Sequence, residues 1–238
     1  MNKSIAIMQP YIFPYIGYMN LVNASENFVF YDDVNFIKKG WINRNNILLD
    51  GCSHRFTLPL TSPSQNKLIK DIEVFNIKDF SESFIKKLDL SYGKAIYKKN
   101  VLDYVDKVLS ANAPSISEVA ALSIEYFFHY VGINKKFIRS SLEFPNTKNL
   151  NRVERLVAIT KDLNSESYIN AYGGDSLYTK EQFLKKGIGL KFVKPILIPY
   201  KQHNIELDDF CPNLSIIDLM MSLSIDEIRF HLESYELI

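Results

Sequence analysis

The stretch that decides the fold is "IAIMQPYIFPYIGYMNLVNASENFVFYDD", residues Ile5 to Asp33. Ile5 to Met8 is an apolar run ended by Gln9-Pro10, which reads as a short buried strand. Pro14 suits the opening of a helix, where a missing N–H costs nothing, and Ile16, Met19, Leu21, Val22 and Ala24 supply its buried stripe. Asn27 to Tyr31 is a second apolar strand, ended by Asp32-Asp33. Strand, loop, helix and strand within about 30 residues fit a parallel crossover.

The rest of the chain extends that unit. His54 to Leu60 and Asp71 to Asn76 read as strands around a Thr-Ser-Pro-Ser loop. Val101, Leu102, Val105, Val108 and Leu109 recur at helical spacing, and a further helix runs from Ser117-Glu118 to Tyr130, with Gly132 to stop it. Then "KFIRSS", "SYIN" and "LKFV" read as strands separated by the helices "NRVERLVAITKDLN" and "TKEQFLKKG". "LSIIDLMMSL" and "IDEIRFHL" close the chain as short helices. The expectation is one α/β domain over residues 1–238, a parallel Rossmann-like sheet with a helical insertion at about 80–130.

Composition narrows the function classes. The 238 residues are 47% hydrophobic and 23% charged, ordinary for a globular enzyme-sized chain. A net charge of +1 gives no argument for nucleic acid as a partner. No apolar run approaches the roughly 18 residues of a transmembrane span. Gln9 and Pro10 interrupt any signal-peptide pattern, so a cytoplasmic location is expected. Cys52 and Cys211 lack metal-ligand spacing, no histidine pair supplies it, and no metal is expected. There is no Gly-x-Ser-x-Gly elbow of a serine hydrolase.

In an open parallel sheet, ligands bind beyond the carboxyl ends of the strands. Three loops qualify: Gln9–Tyr18, Asp32–Arg44 and Ala171–Tyr178. The first offers Gln9, Tyr11, Tyr15 and Tyr18 as donors, Gly17 for close backbone approach, and a helix N-terminus for an anion. Alternatively, its prolines fix a turn against which the tyrosines pack. The second sets Asp32 and Asp33 beside Lys39, Trp41, Asn43, Arg44 and Asn45. Arg44 there can clamp a phosphate and Trp41 can stack on a sugar or base, unless the segment is a solvated hairpin around a core tryptophan. In the third, Gly173-Gly174 is either a backbone cradle or a strand-to-helix turn. His203 is the best histidine for proton transfer, and Asp218, inside an apolar run, reads more readily as a structural carboxylate than as a site residue.

Taken together, "MQPYIFPYIGYMNLVN" and "FVFYDDVNFIKKGWINRN" resemble the N-terminal signature of the WbqC-like family, and "YINAYGGDSLYTKEQFLKKGIGLKF" and "PNLSIIDLMMSLS" are similar to its C-terminal segments. One departure is Asn170-Ala171, where the family runs nearer to Ser-Gly. The resemblance implies a role in bacterial surface-polysaccharide (O-antigen) synthesis and amino-sugar pathways. Its motif residues include Gln9, Pro10, Tyr11, Pro14, Tyr15, Gly17, Asp32, Asp33, Lys39, Trp41, Asn43, Arg44 and Asn45. The layout is also similar to nucleotidylyltransferase-like folds such as pantothenate synthetase, which carry His-x-Gly-His where this chain has Tyr15-Ile16-Gly17-Tyr18.

The reading that follows is an acyl or aminoacyl transferase acting on the amine of a nucleotide-linked amino sugar. Asp32, Asp33 or His203 would take the proton, with acyl-CoA, an acyl-carrier protein or ATP as donor or activator. A nucleotidyltransferase, an ATP-dependent amide ligase and a non-catalytic sugar-nucleotide-binding protein are the alternatives. A homodimer is compatible with all of them.

Overall fold

The computed structural model describes residues 3–174 and 176–238. Its first unit is as expected: β1 (Ser4–Met8), α1 (Ile16–Ala24) and β2 (Asn27–Phe30), with β1 and β2 parallel. Pro14 falls two residues before the first helical position, Ile16. Tyr15 is the N-cap, and the Pro14 carbonyl instead accepts from Ile216 N at 2.9 Å.

A hairpin follows, β3 (Arg44–Leu49) and β4 (Cys52–Thr57). Asp50 (φ 49°) and Gly51 (φ 73°) both take left-handed backbone at its tip, as a two-residue turn between twisted strands requires. Thus "WINRN" leads into a strand, and the Asp-Gly pair was the sequence signal for it. The strand expected at Asp71 to Asn76 reduces to one bridge, Leu60 to Val74, preceded by a 3-10 turn at Ile69–Asp71. Asp71 and Glu73 are exposed while Ile72 is buried, and among the described residues the segment keeps only two backbone bonds to its neighbour, Thr61 N to Glu73 O and Phe75 N to Pro59 O, both 2.9 Å. The helical insertion forms as α2 (Ile77–Ser91), α3 (Lys98–Leu109) and α4 (Ile116–Tyr130).

The second half gives β5 (Lys136–Arg139), α5 (Ser140–Glu143), α6 (Arg152–Asp162), β6 (Ser167–Ala171), α7 (Lys180–Leu184) and β7 (Gly189–Pro195). α8 (Ile216–Ser222), α9 (Ile225–Glu233) and an antiparallel edge strand β8 (Tyr235–Leu237) complete it. The main sheet runs β5-β2-β1-β6-β7-β8, parallel except for β8. Counting only its parallel strands in chain order gives 3-2-1-4-5, the doubly wound order whose direction reverses between the first and fourth. Here that switch lies between β1 and β6.

Period-two alternation divides the sheet between two cores. Ala6, Phe28, Phe30, Ile169 and Val193 join the larger cluster, which continues through Phe84, Val105 and Phe127 of the insertion. Ile5, Ile7, Val29, Tyr168 and Leu190 point the other way, onto Leu156 of α6 and Phe183 of α7. Burial on both faces explains why β1 and β2 read as continuous apolar runs.

Candidate active site at the strand switch

Beyond the carboxyl ends of β1 and β6 lies a cleft of about 1120 Å³. One wall is the loop from Gln9 to Tyr15, and its shape depends on Phe13. That residue is fully buried with φ 41°, a left-handed conformation that is costly for a bulky side chain. Three elements hold it there. Phe13 N donates to Ser123 Oγ of α4 (3.0 Å), while its carbonyl accepts from Asn45 Nδ2 of β3 (2.8 Å) and from Ser215 Oγ at the cap of α8 (2.7 Å). With Phe13 turned inward, Tyr11, Tyr15 and Tyr18 face the cleft. The Tyr18 hydroxyl donates to the Gln9 carbonyl (2.8 Å), and the Tyr11 and Tyr18 rings pack 5.4 Å apart.

Of the expected binding residues, Gln9, Tyr11, Tyr15, Tyr18, Trp41, Asn45, Gly173 and Gly174 line the cleft. Gly174 leaves room for the Asn170 side chain: a Cβ would sit 3.0 Å from Asn170 Cγ and closer still to its amide nitrogen, so the amide would have to move. The cleft also draws in Tyr178, at the end of the third expected loop, and residues the sequence did not single out: Tyr31, Asn46, Arg152, Tyr168 and Asn213, with Asn170 at the end of β6. Asn170 is 6% exposed, and its Oδ1 accepts from Ala171 N at 2.9 Å. Only the carboxyl-end rule applied to "SYIN" would have found it; Arg152 and Asn213 carry no local signal.

The chemistry of the lining is aromatic and amide-rich. Tyr11, Tyr15, Tyr18, Tyr31, Tyr168 and Tyr178 contribute rings and phenols, and Arg152 is the one charged residue among the described lining residues. Burial pushes the Tyr11 hydroxyl up to about 12, with Tyr15 adding to the effect. Burial likewise raises Tyr15, Tyr18 and Tyr168. For Tyr178 it outweighs the opposing charge of Arg152. These phenols therefore stay protonated and act as hydrogen-bond donors at physiological pH.

Several expected site residues lie elsewhere. Asp32 and Asp33 are buried and absent from the cleft lining. Asp32 Oδ1 accepts from Ser140 Oγ (2.9 Å) and Ser141 N (2.9 Å), and its Oδ2 accepts from Ser141 Oγ (2.6 Å). Asp33 Oδ1 accepts from Ser140 Oγ (2.5 Å), and its Oδ2 pairs with Arg155 Nη2 (2.5 Å). All four oxygens are engaged in tying the end of β2 to α5 and α6, so the proton-acceptor role expected of this pair does not fit its placement. Arg155 also lies over the Tyr31 ring (4.7 Å), which links the network to the cleft wall.

His203 sits beside Tyr92 and Gly93, outside the cleft. It neighbours the buried Asp218, whose oxygens accept from Tyr92 (3.0 Å), Tyr200 (2.6 Å) and Gln202 (2.9 Å), the structural role read for that carboxylate. Gly17 is not itself a lining residue; a Cβ there would run into the ring of the cleft residue Tyr15 (2.8 Å from Cζ and closer to Cε2) and meet Pro195 Cγ at 2.9 Å. Of the α1 N-terminus, the N-cap Tyr15 and first-turn Tyr18 line the cleft, whereas Ile16 and Gly17 do not. Lys39 (φ 62°) stands in an exposed turn, and the Asn43 amide donates to Leu58 O at 2.8 Å. Arg44 flanks Trp41 from outside the lining.

Among the described residues no group of three or more His, Cys, Asp or Glu side chains is placed to hold a metal ion, and no helix is long and apolar enough to cross a membrane. A protein of Mycobacterium tuberculosis, "Uncharacterized protein Rv1507c", is 21% identical over 224 residues, spanning 93% of this chain and 94% of its own length. No solved structure matches. The family model described as "WbqC-like protein family" matches residues 9–230, from Gln9 in the cleft wall to Phe230 in α9, and the chain belongs to that family.

Proposed function

We propose that the cleft binds a nucleotide-linked amino sugar and that the protein transfers an acyl or aminoacyl group to the sugar's amine, in the synthesis of a surface polysaccharide. The observation that carries this reading is the lining itself: among the described residues, six tyrosines, several amides and a single guanidinium. Aromatic faces suit the C–H faces of a pyranose, and Asn and Gln amides both donate and accept, as vicinal hydroxyls require. Arg152 offers one bidentate contact for a phosphate oxygen.

The same surroundings favour an amine nucleophile. Desolvation disfavours an ammonium, and no carboxylate among the described lining residues offsets that penalty. The bound amine then sheds its proton to water before attacking the acyl carbon. The C–N bond forms, the C–S bond to coenzyme A or an acyl-carrier protein breaks (or the C–O bond of an acyl phosphate made with ATP), and the nitrogen's second proton leaves with the departing thiol or phosphate. Protonated Tyr11 and Tyr15 are suited to donating hydrogen bonds to the oxyanion formed on the way.

Incubation with amino-sugar nucleotides and acyl donors, read by mass spectrometry, tests this. An N-acylated sugar nucleotide is expected, and a folded protein that yields none across a broad panel counts against transfer. A non-catalytic sugar-nucleotide-binding protein is the second reading, favoured by the placement of Asp32, Asp33 and His203 outside the cleft. Adenylyl transfer has less support, since Tyr15 and Tyr18 replace the histidines and Gly17 is committed to packing.

A further inference from the structure

Trp41, the chain's one tryptophan, is 41% exposed in the wall of the cleft. Two guanidiniums flank its ring, Arg44 with Cζ 5.8 Å and Arg55 with Cζ 5.5 Å from the centroid. The hairpin register explains their convergence. Arg44 pairs with Thr57 and Asn46 with Arg55, so both arginines stand on one face, while Asn45, Ile47 and Phe56 are buried on the other. Each is oriented by a hydrogen bond, Arg44 Nε to Gly40 O (2.7 Å) and Arg55 Nε to Asn46 Oδ1 (3.4 Å). Asn46 in turn lines the cleft.

Neither guanidinium makes an ion pair among the described residues. No acidic residue occurs between Val34 and Leu49, whereas Lys38 and Lys39 stand exposed in the adjoining turn. Held cations without a counter-charge repel one another, and an anion relieves that repulsion. A tryptophan serving only as packing would be buried. This ring instead offers a surface beside two bidentate phosphate donors.

We infer that Trp41, Arg44 and Arg55 form a nucleoside-diphosphate subsite at the cleft wall, the indole stacking on the base and the guanidiniums holding the phosphates. This rests on the sugar-nucleotide reading of the cleft and divides the ligand: base and diphosphate on the cationic platform, sugar in the tyrosine and asparagine interior, where Arg152 is left to meet the phosphate nearest the sugar. An adenosine phosphate, as in coenzyme A or ATP, carries the same chemistry, so pyrimidine and adenine nucleotides are separate arms of the test.

The single tryptophan makes the test direct. UDP, dTDP, ADP and uridine are titrated against the protein while its fluorescence is followed. Saturable quenching by a nucleoside diphosphate but not by uridine, weakened by added salt, is expected. The tightest diphosphate identifies the source of the nucleotide. Arg44→Gln and Arg55→Gln, each shown folded by circular dichroism, should weaken that binding about 10-fold or more. No saturable quenching at millimolar diphosphate, equal quenching by uridine, or unchanged affinity in both folded variants overturns the inference. Acylation of an amino-sugar 1-phosphate as fast as of the sugar nucleotide, without nucleotide quenching, overturns it and leaves the proposed transfer standing. Nucleotide quenching without acyl product does the reverse.

Discussion

Replacing Asp33 separates a structural role from a catalytic one. Asp33 and Arg155 form an ion pair at 2.5 Å, with both side chains 4% exposed. Asp33→Ala leaves Arg155 buried with Thr147 Oγ1 (3.1 Å) as its remaining side-chain hydrogen-bond partner, and leaves the Ser140 hydroxyl with only Asp32. Breaking a buried pair in this way costs about 3–5 kcal/mol, a large part of the roughly 5–15 kcal/mol that stabilises a typical domain. For a chain of this size each kcal/mol moves the melting temperature by about 2–4 °C, so a fall of roughly 6–20 °C is expected. Asp33→Asn, which keeps volume and one acceptor, should lose less. Arg155→Met combined with Asp33→Ala should lose less than the two single losses added, because no unpaired charge is left behind. The assays are urea unfolding and thermal melting, alongside ligand binding per folded molecule. An Asp33→Asn protein of wild-type stability and affinity that lost turnover would refute the argument and return Asp33 to the chemistry.

Other outcomes follow from the same geometry. Gly174→Ala should displace the Asn170 amide and weaken ligand binding about 10-fold, one hydrogen bond's worth, while its melting temperature stays close to wild type; calorimetric titration beside a melt checks both. The Tyr11 hydroxyl is raised from 10.0 to about 12 in the folded state, so the native protein holds that proton more tightly than the unfolded chain. Its contribution is fully present below pH 10 and is lost as pH rises toward about 12. Tyr11→Phe should therefore show a shallower alkaline fall in stability, read by denaturant midpoints across that window.

Much of the fold was legible because it is written locally. β1 and β2 are apolar runs separated by a helix, the signature of doubly covered parallel strands, while β6 and β7 are mixed segments legible from the strand-helix alternation around them. The hairpin is hard to see because its polar approach, "WINRN", has the composition of a ligand loop, and its one local signal is the Asp50-Gly51 turn beyond it. β8, short and half exposed, has no pattern to read. Within the site, Gln9, Trp41 and Gly173-Gly174 could be placed because they follow strands or stand near their ends. The acidic pair could not be judged this way. Its partners Ser140, Ser141 and Arg155 lie 107 to 122 residues away, and only the fold shows that they consume every oxygen. Phe13 is a similar case: a buried aromatic in the sequence, but a strained pivot once its three distant partners are known.

Ligand binding is proposed for the cleft between β1 and β6. Hydrogen exchange with and without a UDP-linked amino sugar at millimolar concentration tests it most directly. Slowed exchange is expected in three segments, 8–18, 35–46 and 168–178, which carry most of the cleft lining. Protection confined to the surroundings of His203 and Asp218, or no protection at all from a panel of sugar nucleotides, would contradict the account.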